Sequence, residues 1–94
     1  MDRRIYLINL YDYYGELLTL KQQEYFKDYY FNNYSLSEIS ENNSISRNAI
    51  HKQIKEVESK LEFYEGILKL YEKSLKIKEL IKDLDIKEKI EELI

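Results

Sequence analysis

From Ile50 onward the apolar positions run Ile50, Ile54, Val57, Leu61, Tyr64, Leu68, Tyr71 and Leu75, a spacing that alternates four and three residues. That is a heptad seam. If continuous through Gly66, it is one helix from Ser46 to Lys82, roughly 55 Å long at ~1.5 Å per residue. Gly66 is its one breaker, at an outward position, and costs about 1 kcal/mol against Ala. Glu58, Glu65 and Glu72 fall together at flanking e positions, with Glu72 set i, i+4 from Lys76, and read as a solvated face. Phe63, Ile67 and Leu70 widen the apolar stripe beyond a two-helix seam. The register fails at Lys78, where Ile77, Leu80, Ile81 and Leu84 continue the stripe. Asp85 with Glu88 then has the spacing of a capping box opening a last helix with Ile86, Ile90, Leu93 and Ile94.

Upstream the same reading gives shorter elements. Arg3 to Leu18 carries Ile5, Leu7, Ile8, Leu10, Tyr11, Tyr14, Leu17 and Leu18, apolar around most of a helix, as for one packed between neighbours. Thr19 with Gln22 three residues on opens a second helix, Leu20 to about Asn32. Its Tyr25, Phe26, Tyr29 and Tyr30 are read as a core edge with hydroxyls at the rim, the alternative being a platform on which bases stack. Ser35 and Glu38 again have capping-box spacing, with Leu36 and Ile39 as an inward pair. Asn42, Asn43 and Ser44 break that helix, Ile45 sits in the turn, and Ser46 caps the next helix, whose inward face is Ala49, Ile50 and Ile54. Helix, tight turn, helix is the helix-turn-helix pattern, whose second helix enters a nucleic-acid groove. The alternative is an ordinary helical hairpin in a small bundle.

These elements give an all-α chain divided into a helix-turn-helix bundle over 1–60 and a C-terminal helical extension over 61–94, continuous with the recognition helix. Ile50 and Ile54 serve the bundle, leaving Leu61, Tyr64, Leu68, Tyr71 and Leu75 as the expected homodimer interface. A monomer whose tail hairpins back over the seam is the competing arrangement.

Composition changes the picture in two respects. Ninety-four residues with 35% charged, no Pro, two Gly and no Cys fit a small helical domain without disulfides or thiolate metal sites. With no long apolar run and no signal-peptide pattern, the chain is expected to be soluble and cytoplasmic. The net charge of −3 has the wrong sign for a simple nucleic-acid binder. Its distribution says more: residues 1–45 hold four Lys/Arg against seven Asp/Glu, whereas Ser46–Lys60 holds Arg47, Lys52, Lys55 and Lys60 against Glu56 and Glu58. The start of the presumed recognition helix is locally positive. Such a binder is weak as a monomer and strongly salt-sensitive.

Catalytic chemistry finds little material. His51 is the only histidine, no Gly-rich phosphate loop is present, and no His or Cys stands at ligand spacing from His51. No enzyme, cofactor, metal, membrane or small-molecule substrate is expected. If the hairpin reads DNA, the contacts fall on Arg47, Asn48, His51 and Lys52, with Lys55 one turn on. Arg suits guanine and Asn adenine, while Lys52 and Lys55 suit phosphates.

The strings LYDYYGELLTLKQ (10–22), YYFNNYSLSEIS (29–40) and ISRNAI (45–50) resemble, in order and spacing, the YlxM family of small bacterial helix-turn-helix proteins. Residues 18–54 are also similar to the last, −35-element-binding region of bacterial sigma factors. The resemblance implies an all-helical fold with a long C-terminal helix after the recognition helix. It also implies a regulatory role linked to the signal recognition particle (SRP) pathway. Carried across, Arg47 and Asn48 open the recognition helix, and Ile39, Ala49, Ile50 and Ile54 hold its core. An interaction module that contacts the particle's GTPase or its RNA is the alternative function. Two positions depart from the family pattern: Asn43 replaces an apolar core residue, and Ser44 replaces Gly or Asn.

Overall fold

The computed structural model describes residues 2–82 and 91; the expected last helix around Asp85–Ile94 lies outside them, apart from a helical Glu91. Five α-helices form among the described residues: α1 (Arg3–Tyr14), α2 (Leu20–Phe26), α3 (Leu36–Asn43), α4 (Arg47–Leu68) and α5 (Leu70–Lys82).

Each start is set by its cap. Asp2 accepts from the Arg4 N–H at 2.6 Å. Thr19 and Gln22 form the reciprocal pair expected of them, as do Ser35 and Glu38, and Ser46 accepts from the Ala49 N–H. These side chains satisfy orphan donors at each first turn and are worth about 1 kcal/mol apiece. The first helix ends earlier than its apolar run suggests, at Tyr14, and passes into a 3-10 turn over Gly15–Leu17. A Cβ on Gly15 would lie 2.8 Å from the Tyr11 ring, so any side chain there would have to displace that ring. The second helix ends in a π turn, Lys27–Phe31, marked by the Asn32 N–H donating to the Lys27 carbonyl at 2.9 Å. Arg4 closes that end: its guanidinium donates to the carbonyls of Tyr29 and Tyr30 and to Asn33 Oδ1, at 3.0, 2.9 and 3.0 Å.

The core is one cluster. Leu7, Leu10 and Tyr14 of α1, Tyr25, Phe26 and Tyr30 from α2 and its π turn, Ile39 of α3, and Ile50, Ile54, Val57 and Leu61 of α4 meet in it, with Tyr71 from α5. Tyr11, Phe26 and Tyr30 stack in a column with 4.4 Å between successive ring centroids. The aromatic run is therefore core, and Tyr25, Phe26 and Tyr30 are unavailable for base stacking.

The heptad seam departs from expectation at one point. The helix passes through Gly66 without interruption but stops at Leu68, and Lys69 takes the left-handed conformation (φ 54°). The expected single helix from Ser46 to Lys82 is thus two, α4 and α5. The cause is polar. The Glu65 carboxylate, 8% exposed, accepts from the N–H groups of Tyr71 (3.1 Å) and Glu72 (3.0 Å), capping α5 from the preceding helix. It also accepts from the Tyr14 hydroxyl at 2.6 Å, and that hydroxyl accepts from the Leu70 N–H at 3.0 Å. The chain so turned lays Tyr71 against Tyr6 of α1, ring centroids 5.9 Å apart, with its hydroxyl accepting from Asn9 Nδ2.

Candidate nucleic-acid interface

The helix-turn-helix is α3, the residues Ser44–Ser46, and the first half of α4. Ser44 caps α3 in the left-handed region (φ 56°), where glycine or asparagine costs least. The Ile45 N–H donates to the Ser40 carbonyl at 3.2 Å, which closes the turn. Asn43, at a position where the resemblance implies an apolar side chain, is half-buried and donates through Nδ2 to the Ile39 carbonyl at 2.8 Å. Its amide is satisfied locally, so the polar substitution leaves the turn closed.

Below this turn, Ile39, Ile50, Ile54 and Val57 are each no more than 3% exposed. That burial fixes the rotation of α4 and leaves its other face to solvent. Arg47, Asn48, His51, Lys52 and Lys55 are all exposed on the first three turns, and the structure brings these five together. They differ in freedom. Lys55 lies 3.5 Å from Glu58, while Arg47 and Lys52 have no carboxylate partner among the described residues.

Glu58 ties that face to the rest of the fold. It is 6% exposed, accepts from the Tyr30 hydroxyl, and has Arg3 at 3.8 Å as well as Lys55. Burial, then the hydrogen bond to Glu58, pushes the Tyr30 hydroxyl well above the usual tyrosine range. Arg3 also pairs with Glu62 at 2.7 Å. On the neighbouring side Lys60 donates to Gln22 Oε1 at 3.2 Å, so the capping glutamine of α2 also holds α4. The rotation of the exposed face is thus set by α1 and α2 through buried polar groups as well as by apolar packing.

Periodicity alone did not disclose Glu58 and Glu65, which sit at e positions and read as solvated. A signal was present: Tyr14 and Tyr30 lie on inward faces, and a buried tyrosine hydroxyl needs an acceptor. Of the five positions expected at a dimer seam, Leu61 and Tyr71 are buried within this chain and Tyr64 is half-buried on its core. Leu68 and Leu75 are 44% and 43% exposed. A continuous seam through all five does not exist on this chain, because the turn at Lys69 and the Glu65 cap redirect α5 onto α1. Among the described residues no helix is long and apolar enough to cross a membrane, and no three His, Asp or Glu side chains are placed to hold a metal.

This arrangement, with a buried α3, a turn closed by a left-handed residue and a second helix whose first turns are solvent-facing, defines a helix-turn-helix protein. Residues 1–94 match the family described as "UPF0122: Putative helix-turn-helix protein, YlxM / p13 like". The chain belongs to that family. It is 46% identical over 85 residues to a UPF0122 protein of Caldanaerobacter subterraneus subsp. tengcongensis, covering 87% of this chain and 73% of that relative. A Malacoplasma penetrans relative is 45% identical over 86 residues, covering 90% and 79%. A Fusobacterium nucleatum relative is 39% identical over 97 aligned positions, covering 100% and 94%.

Proposed function

We propose that this chain is a regulatory protein that contacts nucleic acid through the first turns of α4. The observation that carries the reading is the exposure of Arg47, Asn48, His51, Lys52 and Lys55 on one end of a helix whose opposite face is locked by Ile50, Ile54 and Val57. Roles follow from chemistry. Arg47 and Asn48 have the donors and acceptors for base edges, and Lys52 and Lys55 are point charges suited to phosphates. His51 adds a donor or acceptor between them. Lys55, shared with Glu58, contributes less charge than Lys52.

The resemblance points to the signal recognition particle pathway, so the particle's RNA and its GTPase join duplex DNA as test partners. The test is retention measured across a salt series. Changing Arg47, Lys52 and Lys55 together to Gln is expected to weaken nucleic-acid binding at least tenfold. The same change is expected to flatten the salt dependence on B-DNA by about 0.9 log units for each phosphate no longer neutralised. Unchanged retention in that variant would remove the reading. Retention of the GTPase, with no DNA or RNA, would replace it with the protein-interaction alternative.

A further inference from the structure

The junction between α4 and α5 is one residue from being a continuous helix. On its near side the Lys69 N–H donates to the Glu65 carbonyl at 2.9 Å; on its far side the Lys73 N–H donates to the Lys69 carbonyl at 2.9 Å. Both bonds have the four-residue span of an α-helix. Between them, side chains hold the N–H groups of Leu70, Tyr71 and Glu72, which donate to the Tyr14 hydroxyl, Glu65 Oε1 and Glu65 Oε2. In an unbroken helix the same three donors reach the carbonyls of Gly66, Ile67 and Leu68. Bent and straight forms thus satisfy the same donors through different acceptors. The bend holds Lys69 in the left-handed region, where a lysine is strained and a glycine is not. In return it buries one side chain of α5, Tyr71.

A second apolar pattern crosses the same junction. Phe63, Ile67, Leu70, Ser74, Ile77 and Ile81 are spaced 4, 3, 4, 3 and 4, beside the seam that holds Tyr64 and Tyr71. In the bent chain this stripe is broken at Lys69 and largely open. Phe63 and Ile67 are each 63% exposed, Leu70 42% and Ile77 57%. A straight helix would align it over residues 63–81, roughly 28 Å at ~1.5 Å per residue. Heptad spacing is the period at which two α-helices mesh side by side. The helix that matches this stripe in length and period is the same helix of a second copy. With exposed Leu68 and Leu80 beside it, each partner offers on the order of 600 Å² of apolar surface. The pair then buries about 1,200 Å², the lower edge of specific association, so the dimer is weak. Lys73 and Lys78 border the stripe. Two copies bring these like charges together, so salt tightens pairing, opposite in sign to its effect on nucleic-acid binding.

We propose that α4 and α5 join into one helix when two copies of this chain meet, the Phe63–Ile81 stripe of one packing on that of the other. The bent form is the monomer. Straightening relaxes Lys69, returns Leu70, Tyr71 and Glu72 to the backbone ladder and withdraws Tyr71 from Tyr6. Pairing stands or falls independently of nucleic-acid binding.

The test is analytical ultracentrifugation of the full chain across a concentration and salt series. The unmodified protein is expected to pass from monomer to dimer with a dissociation constant on the order of 10–100 µM. Lys69→Gly relaxes the bend and weakens the straight helix, and is expected to loosen the dimer at least tenfold. Tyr14→Phe removes the acceptor of the Leu70 N–H and is expected to tighten it about tenfold. Ile67→Lys with Ile77→Lys changes side chains already exposed in the bent form, so the fold is retained and the dimer is expected to disappear. Spin labels on Ile5→Cys and Glu79→Cys, diluted into unlabelled protein, read the spacing of α1 and α5 within one copy. That distance is expected to lengthen as dimer forms. A dimer in which it stays constant, or one indifferent to Lys69→Gly and to the stripe variant, overturns the proposal. So does a monomer at every concentration in both the parent and Tyr14→Phe. An exposed apolar stripe bordered by lysines can instead lie on an anionic bilayer. Capture of monomer by phosphatidylglycerol vesicles, lost in the stripe variant and with no dimer formed, overturns the pairing.

Discussion

The near and far halves of the heptad pattern share one spacing and meet different fates. Ile50, Ile54, Val57 and Leu61 are all 3% exposed or less, covered by α1, α2 and α3. Of the continuation, Tyr64 is half-buried, Leu68 and Leu75 face solvent, and only Tyr71 is buried, reached after the chain has turned at Lys69. A 4-3 repeat reports which side of a helix is apolar; it does not report what covers that side, nor whether the helix persists. The difference between the halves lies in two glutamates. Glu58 accepts from Tyr30 and leaves α4 intact, whereas Glu65 accepts from the N–H groups that begin α5 and so ends α4.

The sharpest way to break the comparison is to truncate one residue from each half. Leu61→Ala is expected to cost about 2–5 kcal/mol in urea denaturation, because a fully buried leucine leaves a cavity. Leu75→Ala is expected to cost under about 1 kcal/mol. Equal losses would show that the far half is as well covered as the near one. Next in size is Glu65→Ala, which strands the Tyr14 hydroxyl and two backbone donors and is expected to cost about 2–3 kcal/mol. Amide exchange at Tyr71 and Glu72 should accelerate while that at Ile54 keeps its protection; an unchanged rate at both would detach the cap from the end of α4. Gly66→Ala runs the other way. A Cβ there meets nothing within 4 Å, so the substitution is expected to raise stability by about 1 kcal/mol, and a loss would mean that the open space beside Gly66 is needed.

The smallest effect is one of slope. Burial, then Glu58, raises Tyr30, and burial, then Glu65, raises Tyr14. Folded values above the unfolded value of about 10 mean that this stability is fully present below pH ~10 and is lost as pH climbs toward the folded values. Tyr30→Phe should therefore flatten the fall in Tm across the alkaline range. A variant that falls as steeply as the parent would assign that limb to other groups.

Much of the fold could be read from the chain because its caps are local. Ser35 with Glu38, Thr19 with Gln22, and Ser46 each act within four residues, so the beginnings of α2, α3 and α4 were legible to the residue. The five basic and polar residues at the start of α4 were legible too, since burial of Ile50 and Ile54 dictates what faces out. The end of α4 was not. It depends on Tyr14, 51 residues upstream of Glu65, and on a carboxylate whose sequence position looks solvated. The closure of α2 by Arg4 spans more than 25 residues for the same reason: pairing between distant polar groups leaves no periodic trace.

The π turn at Lys27–Phe31 has a consequence for descent. A π turn holds one residue more than the α-helical turn it replaces, so a single residue can enter or leave there while the flanking helix keeps its hydrogen bonds. Its far side is anchored by Arg4 and by the Tyr34 N–H on the Asp28 carbonyl. A one-residue deletion would re-form the α-helical turn and rotate only what lies between the stacked rings and Asn33. Across relatives, single-residue length variation ahead of the helix-turn-helix is expected to fall within these five positions, leaving the register of everything downstream untouched.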